Sequence, residues 1–197
     1  MKDGKKITAS REESTSYMNQ TLPMRESFDL IQRDLMIGER MASFYFINGL
    51  NKDDDMLKLM DALLKIKKED MPAGILQFME MAIPYTEVEL IEDFDQVLKN
   101  LFSGVTCLFL DGYEGAIAID CRTYPARSVE EPDKDKSLRG SRDGFVETVV
   151  SNTAMIRRRI RSEHLVMEMQ EVGDSSRTDI AICYMKDRVN KEILCDL

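Results

Sequence analysis

The stretch Leu138-Arg-Gly-Ser-Arg-Asp-Gly-Phe-Val-Glu-Thr-Val-Val-Ser-Asn-Thr-Ala-Met-Ile-Arg-Arg-Arg-Ile-Arg161 decides how the rest of the chain is read. Ser141 is placed to cap a helix. Phe145, Val149, Ile156 and Ile160 follow at near-helical spacing with Val146, Val150 and Thr153 beside them, which predicts one buried face. Glu147 near the start and Arg157, Arg158, Arg159 and Arg161 near the end suit the two poles of a helix dipole. The segments before and after this helix read as two versions of one module, so it is expected to be the joint between them.

Downstream, Leu165 to Val172 and Thr178 to Met185 predict a β-hairpin around Gly173-Asp174-Ser175-Ser176. This hairpin echoes an earlier one: Ala42 to Phe46 followed by Asn51-Lys52-Asp53 matches Ala181 to Met185 followed by Asn190-Lys191-Glu192, with Tyr45 facing Tyr184. The echo predicts a helix from about Asn190. A strand pair with no completed crossover is an unusual natural end, so the expectation is that the native protein continues and that this chain is a fragment.

Upstream, a short helix is expected over Arg11 to Leu22, closed by Pro23, followed by strand character from Ser27 to Ile37. Leu35 to Leu50 reads as a hairpin turning at Gly38 to Arg40, with Asn48-Gly49 as its exit turn. Three helices should follow. One starts at Asn51 to Asp55 with Met56, Leu59, Met60, Leu63 and Leu64 inward; a second follows Pro72 with Ile75, Leu76, Met79 and Ile83; a third runs from about Glu87 to Leu101 with Gly104 just beyond. Asp53, Asp54 and Asp55 are more simply acids in a first helical turn than metal ligands, and the methionines of this region suit packing between helices better than a partner groove. Val105 to Leu110 and Gly115 to Cys121 predict a second hairpin of two central strands. Hairpin, three helices and hairpin suit a mixed sheet covered by helices. Tyr124 to Lys136, with two prolines and many charges, reads as a linker or surface loop. The expected class is therefore α/β in the α+β mixed sense: two small α/β subdomains, the second truncated. The expected division is a tail and helix over 1–22, a first subdomain over 23–125, a linker over 126–140 and the start of the second over 141–197.

The chain carries 27 Lys plus Arg against 36 Asp plus Glu, a formal charge of -9, which argues against nucleic acid as its partner. Its 4 cysteines have no metal-like spacing and its 1 histidine, His164, leaves a Ser-His-Asp triad close to excluded. No apolar run approaches the roughly 18 to 20 residues that cross a bilayer, so the piece by itself is expected to be soluble.

Taken together, Gly112-Tyr113-Glu114-Gly115-Ala116, Asp120 through Arg127, Glu131-Pro132, Leu138 through Glu147 and Asn152 through Ile160 closely resemble the spore germination A-subunit family of Bacillales and Clostridia. Ser141, where nutrient-receptor subunits usually have Pro, sets the chain nearer to one sporulation branch of that family. The resemblance implies the N-terminal soluble head of a protein of the inner spore membrane. The head would lie on the cytoplasmic (core) side, would be built of two α/β subdomains, and would be followed by membrane helices beyond this chain. It implies a part in ion release or its amplification during germination. The implied partners are like subunits or a membrane partner protein; no cofactor, metal or catalytic residue is implied.

Three roles compete. In a contact and gating head, Arg139, Gly140, Ser141, Arg142, Asp143, Glu147 and the Arg157, Arg158, Arg159 and Arg161 cluster would make contacts between subdomains or subunits. The plainer alternative is that these charges pair within the chain to hold the Tyr124 to Lys136 loop. A sensor of small molecules or nutrients would hold its ligand between the subdomains, with Arg139-Gly140-Ser141 taking an anion at a helix start. An enzyme is disfavoured, because Ser141 has no histidine partner in reach and no phosphate-binding glycine motif is present.

Overall fold

The structure, a computed structural model, describes residues 4–83, 87–124 and 144–195. In chain order its elements are α1 (Arg11–Thr21), β1 (Leu30–Ile37), β2 (Arg40–Ile47), α2 (Asp53–Leu64) and α3 (Ile75–Ala82). They continue as β3 (Val88–Ile91), α4 (Phe94–Phe102), β4 (Thr106–Leu110) and β5 (Ala116–Ile119), then α5 (Val149–Arg159), β6 (Leu165–Val172), β7 (Thr178–Met185) and α6 (Lys191–Cys195). The expected α+β class stands. The three expected hairpins are present, and so is the helix after Asn190.

The first hairpin closes through Gly38 and Glu39, both at positive φ (54° and 64°). Two such residues make the tight turn whose twist matches that of paired strands. Strands β1 to β5 form one sheet in the order β1-β2-β4-β5-β3, and β6 with β7 forms a second. Every pairing is antiparallel rather than mixed. A helical crossover normally joins parallel neighbours. Here α4 does join two strands of one direction, β3 and β4, but β5 lies between them and pairs antiparallel with both.

That arrangement also corrects the expected third helix. Val88–Ile91 is an edge strand, and the helix begins only at Phe94. Asp93 sets the boundary: its carboxylate accepts the backbone N–H of Gln96 at 2.9 Å and the Gln96 side-chain amide at 2.7 Å. With its cap in extended conformation (φ -134°, ψ 154°), the helix cannot reach back into the preceding residues.

Alternation along the central strands divides the core into two layers. Tyr45, Ile47, Cys107, Phe109, Ala116 and Ala118 face one way, towards Met18 of α1, Phe94, Val97 and Leu101 of α4, and Ala154 of α5. Ala42, Phe44, Leu108, Leu110, Ile117 and Ile119 face the other way, towards Met56, Leu59 and Leu63 of α2 and Phe78 of α3. Two inward assignments are corrected: Leu64 and Leu76 are exposed, and Phe78 is the side chain α3 buries completely.

Candidate functional site

The expected joint helix is shorter than its sequence pattern suggests. It starts at Val149 after Thr148, and its first turn holds no acid, so Glu147 lies ahead of the helix on an exposed bend. Arg139, Gly140, Ser141, Arg142 and Asp143 lie outside the described residues. The buried face is also not the expected one: Phe145 is 69% and Ile160 41% exposed, while Thr153, Ala154 and Arg157 are buried. With Val150 these make the i, i+3, i+4, i+7 stripe of an inward face. Small residues on that stripe have a cause. A methyl group on Gly49, which holds φ 81°, would lie 3.0 Å from the Ala154 Cβ and 3.1 Å from a Val150 methyl. The helix therefore sits directly on the exit turn of the first hairpin.

Arg157 reaches from this helix into the protein. Its side chain is 0% exposed and that of its partner Asp29 is 1% exposed. Arg157 Nε donates to Asp29 Oδ2 at 2.7 Å and Nη2 to Asp29 Oδ1 at 3.0 Å, the two-pronged geometry of a guanidinium on a carboxylate. The remaining donors go to the Ser27 Oγ (3.2 Å), the Leu165 carbonyl (3.0 Å) and the Ser162 carbonyl (3.1 Å). Ser27 Oγ donates to Asp29 Oδ1 at 2.7 Å and accepts the Met167 N–H at 2.9 Å, and the Phe28 N–H donates to the Met167 carbonyl at 2.9 Å. Ser27 to Asp29 is thus tied to a distant part of the chain, the end of α5 and the first residues of β6.

The next three arginines behave differently. Arg158 is exposed and lies 4.0 Å from the centre of the Tyr124 ring, a cation–π contact. The Tyr124 hydroxyl donates to the Ser103 carbonyl at 3.0 Å and accepts from Arg122 at 3.5 Å. Arg159 and Arg161 are exposed, and Arg161 donates to the Arg158 carbonyl at 3.2 Å. Beside Tyr124, Glu89, Asn100, Asp120 and Arg122 line a polar cleft of about 300 Å³. Hydrogen bonds from Arg122 hold the Asp120 carboxyl below the usual carboxylate range despite its partial burial. The carboxylate and guanidinium therefore satisfy each other inside the cleft.

Sequence reading grouped Arg157 with Arg158, Arg159 and Arg161 on the outer face, whereas the structure buries Arg157, and it missed Ser27, Asp29 and Asn152. One signal was available for Asp29: it is a lone acid between Phe28 and Leu30, where a strand enters the core. Among the described residues no group of three or more His, Cys, Asp or Glu side chains is placed to hold a metal ion. Burial pushes the Cys107 thiol up to about 12, so it stays protonated and unreactive at neutral pH.

The fold of this chain, a five-stranded antiparallel sheet between helices with a further hairpin beside it, is shared by a solved domain of a spore germinant receptor. The chain superposes on the crystal structure of the N-terminal domain of the A subunit of the Bacillus megaterium spore germinant receptor GerK3 with a TM-score of 0.71. At 19% identity that match covers 99% of this chain and 72% of the other, and it bears on the fold alone. Residues 16–197 match the family described as Bacillus/Clostridium GerA spore germination protein, and the chain belongs to that family. It is 37% identical over 180 residues to stage V sporulation protein AF of Bacillus subtilis, covering 90% of this chain and 36% of that protein. It is 30% identical over 172 residues to spore germination protein KA of the same organism, covering 85% of this chain and 32% of the relative. The chain thus spans about a third of the length of these curated relatives. No helix among the described residues is long and apolar enough to cross a membrane.

Proposed function

We propose that this chain is the N-terminal head of a protein of the inner spore membrane, on its cytoplasmic (core) side. There it takes part in ion release, or its amplification, during germination, and it acts by contact and gating without catalysing a reaction. Family membership supports the setting, and the length of the relatives leaves room for membrane segments outside this chain. In this reading residues 23–125 form one subdomain, 126–140 a linker and 141–197 the start of a second. The partners are like subunits or a membrane protein of the germination machinery.

The observation that carries the reading is the outer end of α5. Arg157 is buried in internal bonds, and Arg158, Arg159 and Arg161 form an exposed basic surface, with the Arg158 guanidinium 4.0 Å from the centre of the Tyr124 ring. An exposed guanidinium cluster of this kind suits an acidic patch on a neighbouring subunit. The test is Arg158→Glu in the full-length gene, followed in spores by the rate of monovalent ion release after a germinant is added. The expected result is slower release while the isolated chain keeps its circular dichroism and unfolding midpoint. Unchanged release kinetics would overturn the contact role of this surface.

A further inference from the structure

Among the described residues, the hairpin of β6 and β7 is held at its base, where α5 also packs against β7. Leu165, Val166 and Met167 are buried, while residues 171–180 at its far end are exposed. A two-stranded hairpin standing alone is marginal in water, so its docking must come from what the base touches. At that base are the Ser27, Asp29 and Arg157 cluster, the Phe28 to Met167 backbone bond, and an exposed ion pair of Lys186 with Glu26 at 2.8 Å. Exposed pairs contribute little.

We propose that Ser27, Asp29 and Arg157 form a latch, and that the β6–β7 hairpin opens away from the five-stranded module as one unit when this cluster is broken, with the module itself remaining folded. A buried ion pair adds little net stability over well-packed apolar side chains of the same size. What it supplies instead is direction. One guanidinium joins a carboxylate and a hydroxyl from the module side to two carbonyls leading into β6, which no aliphatic side chain can do. The same burial makes the latch abrupt. A half-open hairpin would strand a charge without its partner in a dry site, so the docked and released states are both favoured over anything between them. The module has independent means of staying folded, since both of its core layers form on the five-stranded sheet without any residue of β6 or β7. The latch needs neither partner nor membrane, so its failure would leave the proposed role in germination untouched.

The test is amide hydrogen exchange on the 197-residue chain, comparing the native protein with Arg157→Lys, which keeps the charge but loses the fork, and Ser27→Ala, which leaves the ion pair in place. In Arg157→Lys, amides of Leu165 to Met169 and Ala181 to Met185 should exchange faster by about tenfold or more, while those of β2, β4 and β5 change by less than about twofold. Ser27→Ala should give a smaller rise in the same residues. A rise of equal size in hairpin and sheet, or no rise in either, overturns the latch. Should Arg157→Lys fail to fold, Ser27→Ala decides: a rise confined to the hairpin supports the latch and any other pattern overturns it.

Discussion

Asn152 grips both backbone groups of Val146: its Oδ1 accepts the Val146 N–H and its Nδ2 donates to the Val146 carbonyl, each at 2.7 Å. With those two backbone groups satisfied by a side chain, residues 144–147 approach α5 outside the helix, whose first bond runs from the Asn152 N–H to the Thr148 carbonyl, and the helix begins at Val149. Asn152→Ala should therefore lower the unfolding free energy by about 1 to 2 kcal/mol, read from urea midpoints. Asn152→Asp should be at least as costly, because a carboxylate can accept the Val146 N–H but faces the Val146 carbonyl with no proton to give. An Asp variant as stable as the native chain would show that the second bond contributes nothing.

Phe78 is fully buried against Tyr113, whereas Leu76 on the same helix is 60% exposed. Truncating a buried aromatic leaves a cavity along with the lost transfer energy, so Phe78→Ala should cost about 3 to 5 kcal/mol. Leu76→Ala should stay within about 0.5 kcal/mol of the native chain. Comparable losses for the two would mean that α3 presents a different face to the sheet.

That pair also shows where sequence reading succeeds and where it stops. The hairpins were legible because glycine-bearing turns separate short apolar runs: Gly38 at the first turn and the run Thr106 to Leu110 leave little choice. Helix faces were less legible on α3, where Ile75, Leu76, Phe78 and Met79 are apolar almost all round and spacing cannot choose between them. The start of α4 was misplaced because Val88 to Ile91 is too short for its period to separate strand from helix; only the Asp93 cap resolves it. The inward face of α5 was hidden for another reason. It runs through an arginine, which any hydropathy pattern assigns to solvent, and Arg157 is inward because Asp29 waits 128 residues away. Long-range polar pairing of this kind leaves no local mark.

Asp34 gives the chain an acid-sensitive point at the other end of the module. Burial alone would raise its pKa, but hydrogen bonds from Ser43, Gln32 and Arg11, with the Arg11 charge, outweigh it and hold the carboxyl below its ordinary value of 3.8. The folded chain therefore gives up this proton more readily than the unfolded one. The resulting stability is fully present above the unfolded pKa and is lost as pH falls below it through the lowered folded value. Stability of the native chain should drop as pH is lowered from about 5 to about 2, and Asp34→Asn should make that drop shallower. Urea midpoints along a pH series measure both slopes. Identical slopes would show that the Arg11, Asp34 and Ser43 cluster does not couple α1 to the hairpin in solution.

The seat of α5 on Gly49 yields the most direct test of the joint. Gly49 combines a backbone conformation that side chains rarely adopt with a near-contact to Ala154 and Val150, so Gly49→Ala meets two penalties at once. Gly74, at the start of α3, has an ordinary extended conformation (φ -126°, ψ 151°) and open space where a methyl group would go. Gly49→Ala should lose about 1 to 3 kcal/mol, part from the left-handed backbone and part from pushing α5 outward. Gly74→Ala should differ from the native chain by less than about 1 kcal/mol. Because the displaced helix carries Arg157, the Gly49 variant should also speed amide exchange at Leu165 to Met167, whereas backbone strain alone would not. If exchange there is unchanged while stability falls, the helix is not seated on that turn as the structure has it.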